Sequence, residues 1–222
     1  MAVRKTTKIV LGPDSELWPS LSKESEIMSR QSVKEHILLS TINAIEKYGL
    51  SNITTRLIAD EAGVNNAALH YYFGTKQQLV DAALDQTARH MLEDSEDILN
   101  SNELIEDRIT ALLIYLMDGS QKFPNIIRAH MIGPLFYKER QDNLLNLLDS
   151  WISITAEALI PYIEEEKLPR VRLQLNMIFS QILMAGLFNY SSSGQTWMNF
   201  QDEKIRKDFL FEALDLLQVP SS

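Results

Sequence analysis

Residues 54–76, TTRLIADEAGVNNAALHYYFGTK, constrain the fold more than any other part of the chain. Thr54 or Thr55 can cap a short helix whose inner face carries Ile58 and Ala62. Gly63 supplies the permissive backbone of a turn, with Val64 filling the small core beneath it. Asn65 can cap a second helix, in which Leu69 and Phe73, four apart, turn inward. Asn66, Ala67, Ala68, His70 and Tyr71 are then left on outward or lateral faces. Thr75-Lys76-Gln77-Gln78 reads as a T-x-x-Q capping box opening a third helix. Two short helices about a glycine turn suit a helix-turn-helix, whose second helix enters a DNA major groove.

The flanking sequence predicts helix on both sides. Val33, Ile37, Thr41, Ile45 and Tyr48 fall near one helical face, and Gly49 stops that helix. Past residue 80 the pattern predicts helices over about 76–97, 104–122, a short one opened by Pro124, a long one after Gly133-Pro134 to about 160, then 170–190 and 200–217. Residues 1–29 lack helical periodicity and read as a flexible extension, in which Arg4, Lys5 and Lys8 are the candidates for a minor-groove arm. The fold class expected is all-α. A three-helix helix-turn-helix head, 30–78, precedes a larger helical bundle, 79–222.

The net charge of −9 looks unfavourable for DNA, but it is unevenly distributed. Residues 1–80 carry a net +1 and residues 81–222 a net −10. Phosphate neutralisation is local, so a near-neutral head with a few placed cations suffices. With no cysteine there is no disulfide, thiolate nucleophile or Cys-ligated metal. No apolar run approaches the roughly 18 residues of a membrane span, and a cytoplasmic protein without membrane contact is expected. There is no G-x-S-x-G, H-E-x-x-H or P-loop, and His36, His70, His90 and His130 form no metal-ligand spacing. No catalytic residue, metal or cofactor is therefore expected, and a helical enzyme is a remote alternative.

Thr54-Thr55-Arg56, Ile58-Ala59, Ala62-Gly63-Val64, Leu69, Tyr72-Phe73, Lys76 and Leu79 together make about residues 33–85 resemble the TetR family of bacterial transcription regulators. The resemblance implies a homodimer whose body, 79–222, binds a ligand and dimerises. It implies that Thr55 bonds a phosphate near its helix start and that Arg56 reaches a phosphate or a guanine edge. Asn66, Ala67, Ala68 and Tyr71 would face bases, with asparagine suited to adenine and alanine methyls to thymine methyls. Tyr72 and Lys76 would hold the backbone and set register. Family members often carry Tyr where this chain has His70, which can still bond a phosphate, more weakly when neutral.

The family's bodies usually enclose a pocket, and apolar pockets with a few polar groups suit small ligands. Candidate lining residues are Met91, Leu113, Met117, Phe123, His130, Phe136, Trp151, Thr155, Phe179 and Leu183. The last two helices are the expected dimer surface, through Gly186, Phe209, Leu210 and Leu214. The reading implied is a repressor that grips a pseudo-palindromic double-stranded operator as a dimer. An unidentified, partly apolar small-molecule effector releases it. The alternative is a DNA-binding regulator controlled by a protein partner or by no effector.

Overall fold

The computed structural model describes residues 30–136, 143–188 and 199–219, and all regular structure among them is helical. The extension expected over 1–29 and the loop expected at Ser191-Ser192-Ser193-Gly194 lie outside the described residues, as does the Phe136 side chain. The order is α1 Arg30–Tyr48, α2 Thr55–Glu61, α3 Asn66–Phe73, α4 Lys76–Leu99, α5 Ile105–Lys122, α6 Pro124–Phe136, α7 Asn143–Leu159, α8 Leu168–Leu187 and α9 Glu203–Leu217. Two short 3₁₀ turns, Ile160–Tyr162 and Glu165–Lys167, join α7 to α8.

Among the described residues two hydrophobic cores form, and α4 belongs to both. The head core gathers Ile37, Ile42 and Ile45 of α1, Ile58 and Ala62 of α2, Leu69 and Phe73 of α3, and Leu79, Val80, Ala83 and Leu84 of α4. The body core gathers α5, α7, α8 and α9 around Leu112, Met117, Trp151, Leu175 and Phe179, with Met91 and Leu92 of α4 against it. With 24 residues, α4 is about 36 Å long, enough to run from one core to the other.

The boundary expected between residues 78 and 79 does not separate the cores. Ile126 and Ala129 of α6 are buried in the head core, so the body contributes a wedge to the head. Gly133-Pro134 also does not end α6, which runs on to Phe136. Pro134 falls in the last turn, where the missing backbone N–H disturbs little of the remaining helix.

Candidate nucleic-acid interface

Every start signal read in the head is present as a hydrogen bond. Thr54 Oγ1 accepts from the Leu57 amide at 3.1 Å, and Asn65 Oδ1 from the Ala68 amide at 2.9 Å. Thr75 Oγ1 accepts from the Gln78 amide at 3.1 Å while Gln78 Oε1 accepts from the Thr75 amide at 3.0 Å, completing the capping box. Gly63 turns the chain between α2 and α3 with φ +61°, a left-handed value that a side chain resists. Ile58, Ala62, Leu69 and Phe73 are buried, so one face of each short helix is fixed by packing.

That packing leaves the other face of α3 in solvent. Asn66, Ala67, His70 and Tyr71 are exposed, Tyr71 to 67% despite its size, and Ala68 is half-buried. Tyr71 stands edge-on to the half-buried Tyr72, with ring centroids 5.0 Å apart. On α2, Thr55 is half-buried and Arg56 reaches into solvent with only a 4.0 Å approach to the exposed Asp60, leaving its guanidinium available. Of the expected contact residues, Arg56, Asn66, Ala67, His70 and Tyr71 thus face solvent, while Thr55, Ala68, Tyr72 and Lys76 are half-buried.

Three of these residues, Lys76, His70 and Asn66, have hydrogen-bond partners inside the chain. Lys76 Nζ donates to the Ile53 carbonyl, tying the start of α4 to the α1–α2 loop. An ammonium has three N–H groups, so donors remain for a phosphate. His70 lies against its own helix, with Nδ1 2.8 Å from the Gly74 carbonyl and Nε2 3.5 Å from the Asn66 side-chain nitrogen. A neutral His70 therefore has no N–H left over for phosphate.

The head is braced behind this surface. The His36 ring Nε2 is 3.0 Å from the Ala62 carbonyl at the end of α2 and donates to it. Lys47 Nζ and Tyr48 Oη both donate to Glu61 Oε1, at 3.1 and 2.9 Å, pinning α1 to α2. Lys47 and Tyr48 hold the Glu61 carboxyl below its usual range, and the neighbouring Tyr48 hydroxyl, followed by Glu61, raises the Lys47 ammonium.

A bridge that sequence reading missed joins head to body. Glu46 Oε2 of α1 accepts from the Asn125 and Ile126 amides in the first turn of α6, at 3.1 and 3.0 Å. Asn125 Nδ2 donates back to the Glu46 carbonyl at 2.8 Å. Arg128, one turn on, donates to Asn125 Oδ1 at 3.0 Å and to the Leu187 carbonyl at the end of α8 at 3.1 Å. Burial raises the Glu46 carboxyl above its usual value, against the lowering pull of the two amides and Arg128. The partners are about eighty residues apart, so no local pattern announces them.

Among the ligand candidates, Leu113, Met117, Trp151, Thr155 and Phe179 are fully buried, and Met91 and Leu183 are half-buried against the body core. Phe123, between the end of α5 and the start of α6, packs against the head core instead. Trp151 Nε1 donates to Ser95 Oγ at 3.1 Å, which donates to the Met91 carbonyl at 2.6 Å. His130 Nε2 lies 2.9 Å from Thr87 Oγ1, whose hydroxyl donates to the Leu84 carbonyl at 2.8 Å. The ring must therefore donate from Nε2, which leaves Nδ1 as a buried acceptor with no partner among the described residues. Burial pulls this imidazole down to about 4.

The dimer candidates sit differently from what spacing suggested. A Cβ on Gly186 would lie 2.9 Å from Ile127 Cδ1 and 3.0 Å from Ser120 Cβ and O, so the close approach it permits is to α5 and α6 of its own chain. Phe209 meets Phe200 edge-on at 5.0 Å, and Leu210 and Leu214 are half-buried against the body core. The apolar side chains these helices expose are Leu173, Met177, Met184 and Phe188 of α8 and its end, and Phe211 and Leu216 of α9. The α8 set repeats at helical spacing on the face opposite the core, a signal readable in the sequence but masked by the equally apolar inner face.

Among the described residues no helix is long and apolar enough to cross a membrane. Residues 37–83 match the family model of bacterial regulatory proteins, tetR family. The chain is 28% identical over 109 residues to the HTH-type transcriptional regulator BetI of Brucella anthropi, covering 49% of this chain and 56% of that protein. It is 25% identical over 123 residues to the nucleoid occlusion factor SlmA of Haemophilus influenzae, 55% of each. The match thus spans about half the length of these curated relatives. A transcriptional regulator from Rhodococcus sp. Rha1 has the same fold, with a TM-score of 0.67 at 15% identity over 83% of this chain and 96% of that one. Residues 37–83 thus carry the head of the tetR family of bacterial regulatory proteins, and the chain as a whole has the fold of that Rhodococcus regulator.

Proposed function

We propose that the protein is a DNA-binding transcriptional regulator that reads a two-fold operator as a homodimer and is released by a small, partly apolar effector. The observation that carries the reading is the exposure of Asn66, Ala67, His70 and Tyr71 on a helix whose opposite face is fixed by Leu69 and Phe73. Ala67 and Ala68 keep that helix low enough to approach base edges, and Arg56 and Lys76 flank it with cations for phosphate. The acidic balance of residues 81–222 would keep the body off non-specific DNA.

Dimerisation is supported by the exposed stripe Leu173, Met177, Met184 and Phe188, with Phe211 of α9 at 70% exposure. A second copy related by a two-fold axis would cover the same stripe on both chains. Two heads then reach successive major grooves only at a spacing near one DNA turn, about 34 Å, or a multiple of it. Effector control is supported by the buried acceptor of His130 and by the Thr155 hydroxyl, which has no partner among the described residues, two polar handles in an apolar body. The Glu46 bridge offers the route, since any shift of α6 moves an anchor of α1. An effector that prefers the differently spaced dimer lowers DNA affinity, and DNA lowers effector affinity by the same factor.

A second reading is DNA binding under a protein partner's control or under none. It is favoured by the match to a protein named as a nucleoid occlusion factor. Selection from a random duplex pool with purified protein tests the main reading. It should enrich a site with two-fold-related halves, and Met177→Glu should abolish cooperative binding to it. A pool that returns no enriched sequence overturns the reading. Metabolite screening by thermal shift separates the two forms of control, because a small molecule that stabilises the protein and also releases DNA supports the effector.

A further inference from the structure

We infer that His70 is a positioning residue: it sets which way the Asn66 side-chain amide faces, and so favours adenine at the base that Asn66 reads. The inference rests on the DNA-binding reading above. The Gly74 carbonyl oxygen, 2.8 Å from His70 Nδ1, can only accept, so Nδ1 must carry a hydrogen. In the neutral ring Nε2 is then a bare acceptor. It faces Asn66, one helical turn earlier, at 3.5 Å. Only the NH₂ end of the amide can meet a bare ring nitrogen, because the amide oxygen would be repelled by it. The orientation of Asn66 therefore follows from the chemistry of its neighbour.

The anchor of this relay is firm. The Gly74 amide donates to the His70 carbonyl at 2.9 Å, and Gly74 is followed at once by the Thr75 capping box of α4. Asn66, His70 and Gly74 recur every four residues along one face, so the α3–α4 junction reaches to the first turn of α3 through two side-chain contacts. At 3.5 Å the outer contact is long, so it biases the amide and does not lock it. One amide hydrogen faces His70, which leaves Oδ1 and the second N–H outward. That donor–acceptor pair is the one adenine N6 and N7 require. It also accounts for a histidine tolerating this position without donating to phosphate itself.

The size of the effect follows from the freedom that is removed. Without the bias the amide has two flip states and up to three χ1 wells, so the loss should be about two- to sixfold. The test is a double-mutant cycle on the selected operator, with wild type, His70→Ala, Asn66→Ala and the double variant. His70→Ala should lower operator affinity and adenine preference by about two- to sixfold, with the salt slope and non-specific affinity unchanged. In the Asn66→Ala background it should change nothing. Equal losses in both backgrounds, or a salt slope lower by about one, would make His70 an independent phosphate contact and overturn the inference. Wild-type protein that selects no sequence overturns the DNA-binding reading itself, so the two failures are told apart by the first measurement.

Discussion

Replacing Glu46 tests how head and body are joined, and the structure gives the size of the effect. Pro124 has no N–H, so the first donors of α6 are the Asn125 and Ile126 amides, and both go to Glu46 Oε2 at 3.1 and 3.0 Å. Hydrogen bonds to a charged acceptor contribute about 1.5–3 kcal/mol each, which would suggest about 3–6 kcal/mol in all. The raised carboxyl says that burial outweighs the lowering pull of the amides and Arg128, so part of that gain is offset by desolvation. Glu46→Ala, which strands two helix-start amides, should therefore cost about 2–3 kcal/mol. Glu46→Gln keeps a neutral acceptor and sheds the desolvation penalty, so it should cost about 1 kcal/mol or less. Because the folded carboxyl titrates above its unfolded value, its contribution is fully present below the usual carboxylate pKa and declines as pH rises through the folded one. The Gln variant should lose that decline. Urea unfolding at pH 7 and pH 4 measures both variants. If Gln proves as damaging as Ala at pH 7, charge and not acceptor geometry holds α6, and the reasoning fails.

The buried His130 makes acid sensitivity a second check. A pKa near 4 in the folded state against the ordinary 6.5 means stability is lost as pH falls through that window, by roughly 2 kcal/mol between pH 7 and pH 5. His130→Gln should flatten that part of the wild-type profile, and an unchanged slope would contradict a neutral buried ring. At Gly186, an added methyl gains about 1 kcal/mol of helix propensity but meets the immovable Ser120 carbonyl at 3.0 Å, so Gly186→Ala should be net destabilising by about 1 kcal/mol. Its dimer dissociation constant should not change; a weaker dimer with unaltered stability would return Gly186 to the subunit interface. Lys76→Ala should weaken binding to all DNA sequences alike and lower the salt slope by about one per half-site. A lower urea midpoint with an unchanged slope would make Lys76 only a tie to Ile53.

The head was legible because its signals are short-range. Thr54, Asn65 and Thr75 each bond an amide three residues on, and Gly63 turns the chain in place. The body kept its arrangement hidden because its decisive contacts are long-range. Trp151 meets Ser95, His130 meets Thr87 and Glu46 meets Asn125 across 43 to 79 residues, and no periodicity encodes such pairs. Gly186 reads equally well as a dimer contact or an internal one, and only the position of Ser120 decides. α8 is apolar on two faces, so its exposed stripe could be separated from its core only once Leu175 and Phe179 were seen inside.

The central claim is that α3 lies in the major groove, and the absence of native cysteine gives it a direct test. Single Asn66→Cys and Tyr71→Cys variants, and a Glu96→Cys control on the exposed side of α4, are mixed with selected operator carrying a thiol tethered to a major-groove base edge. Disulfide cross-links should form at 66 and 71 and not at 96. Cross-linking at 96 with none at 66 or 71 would contradict the account.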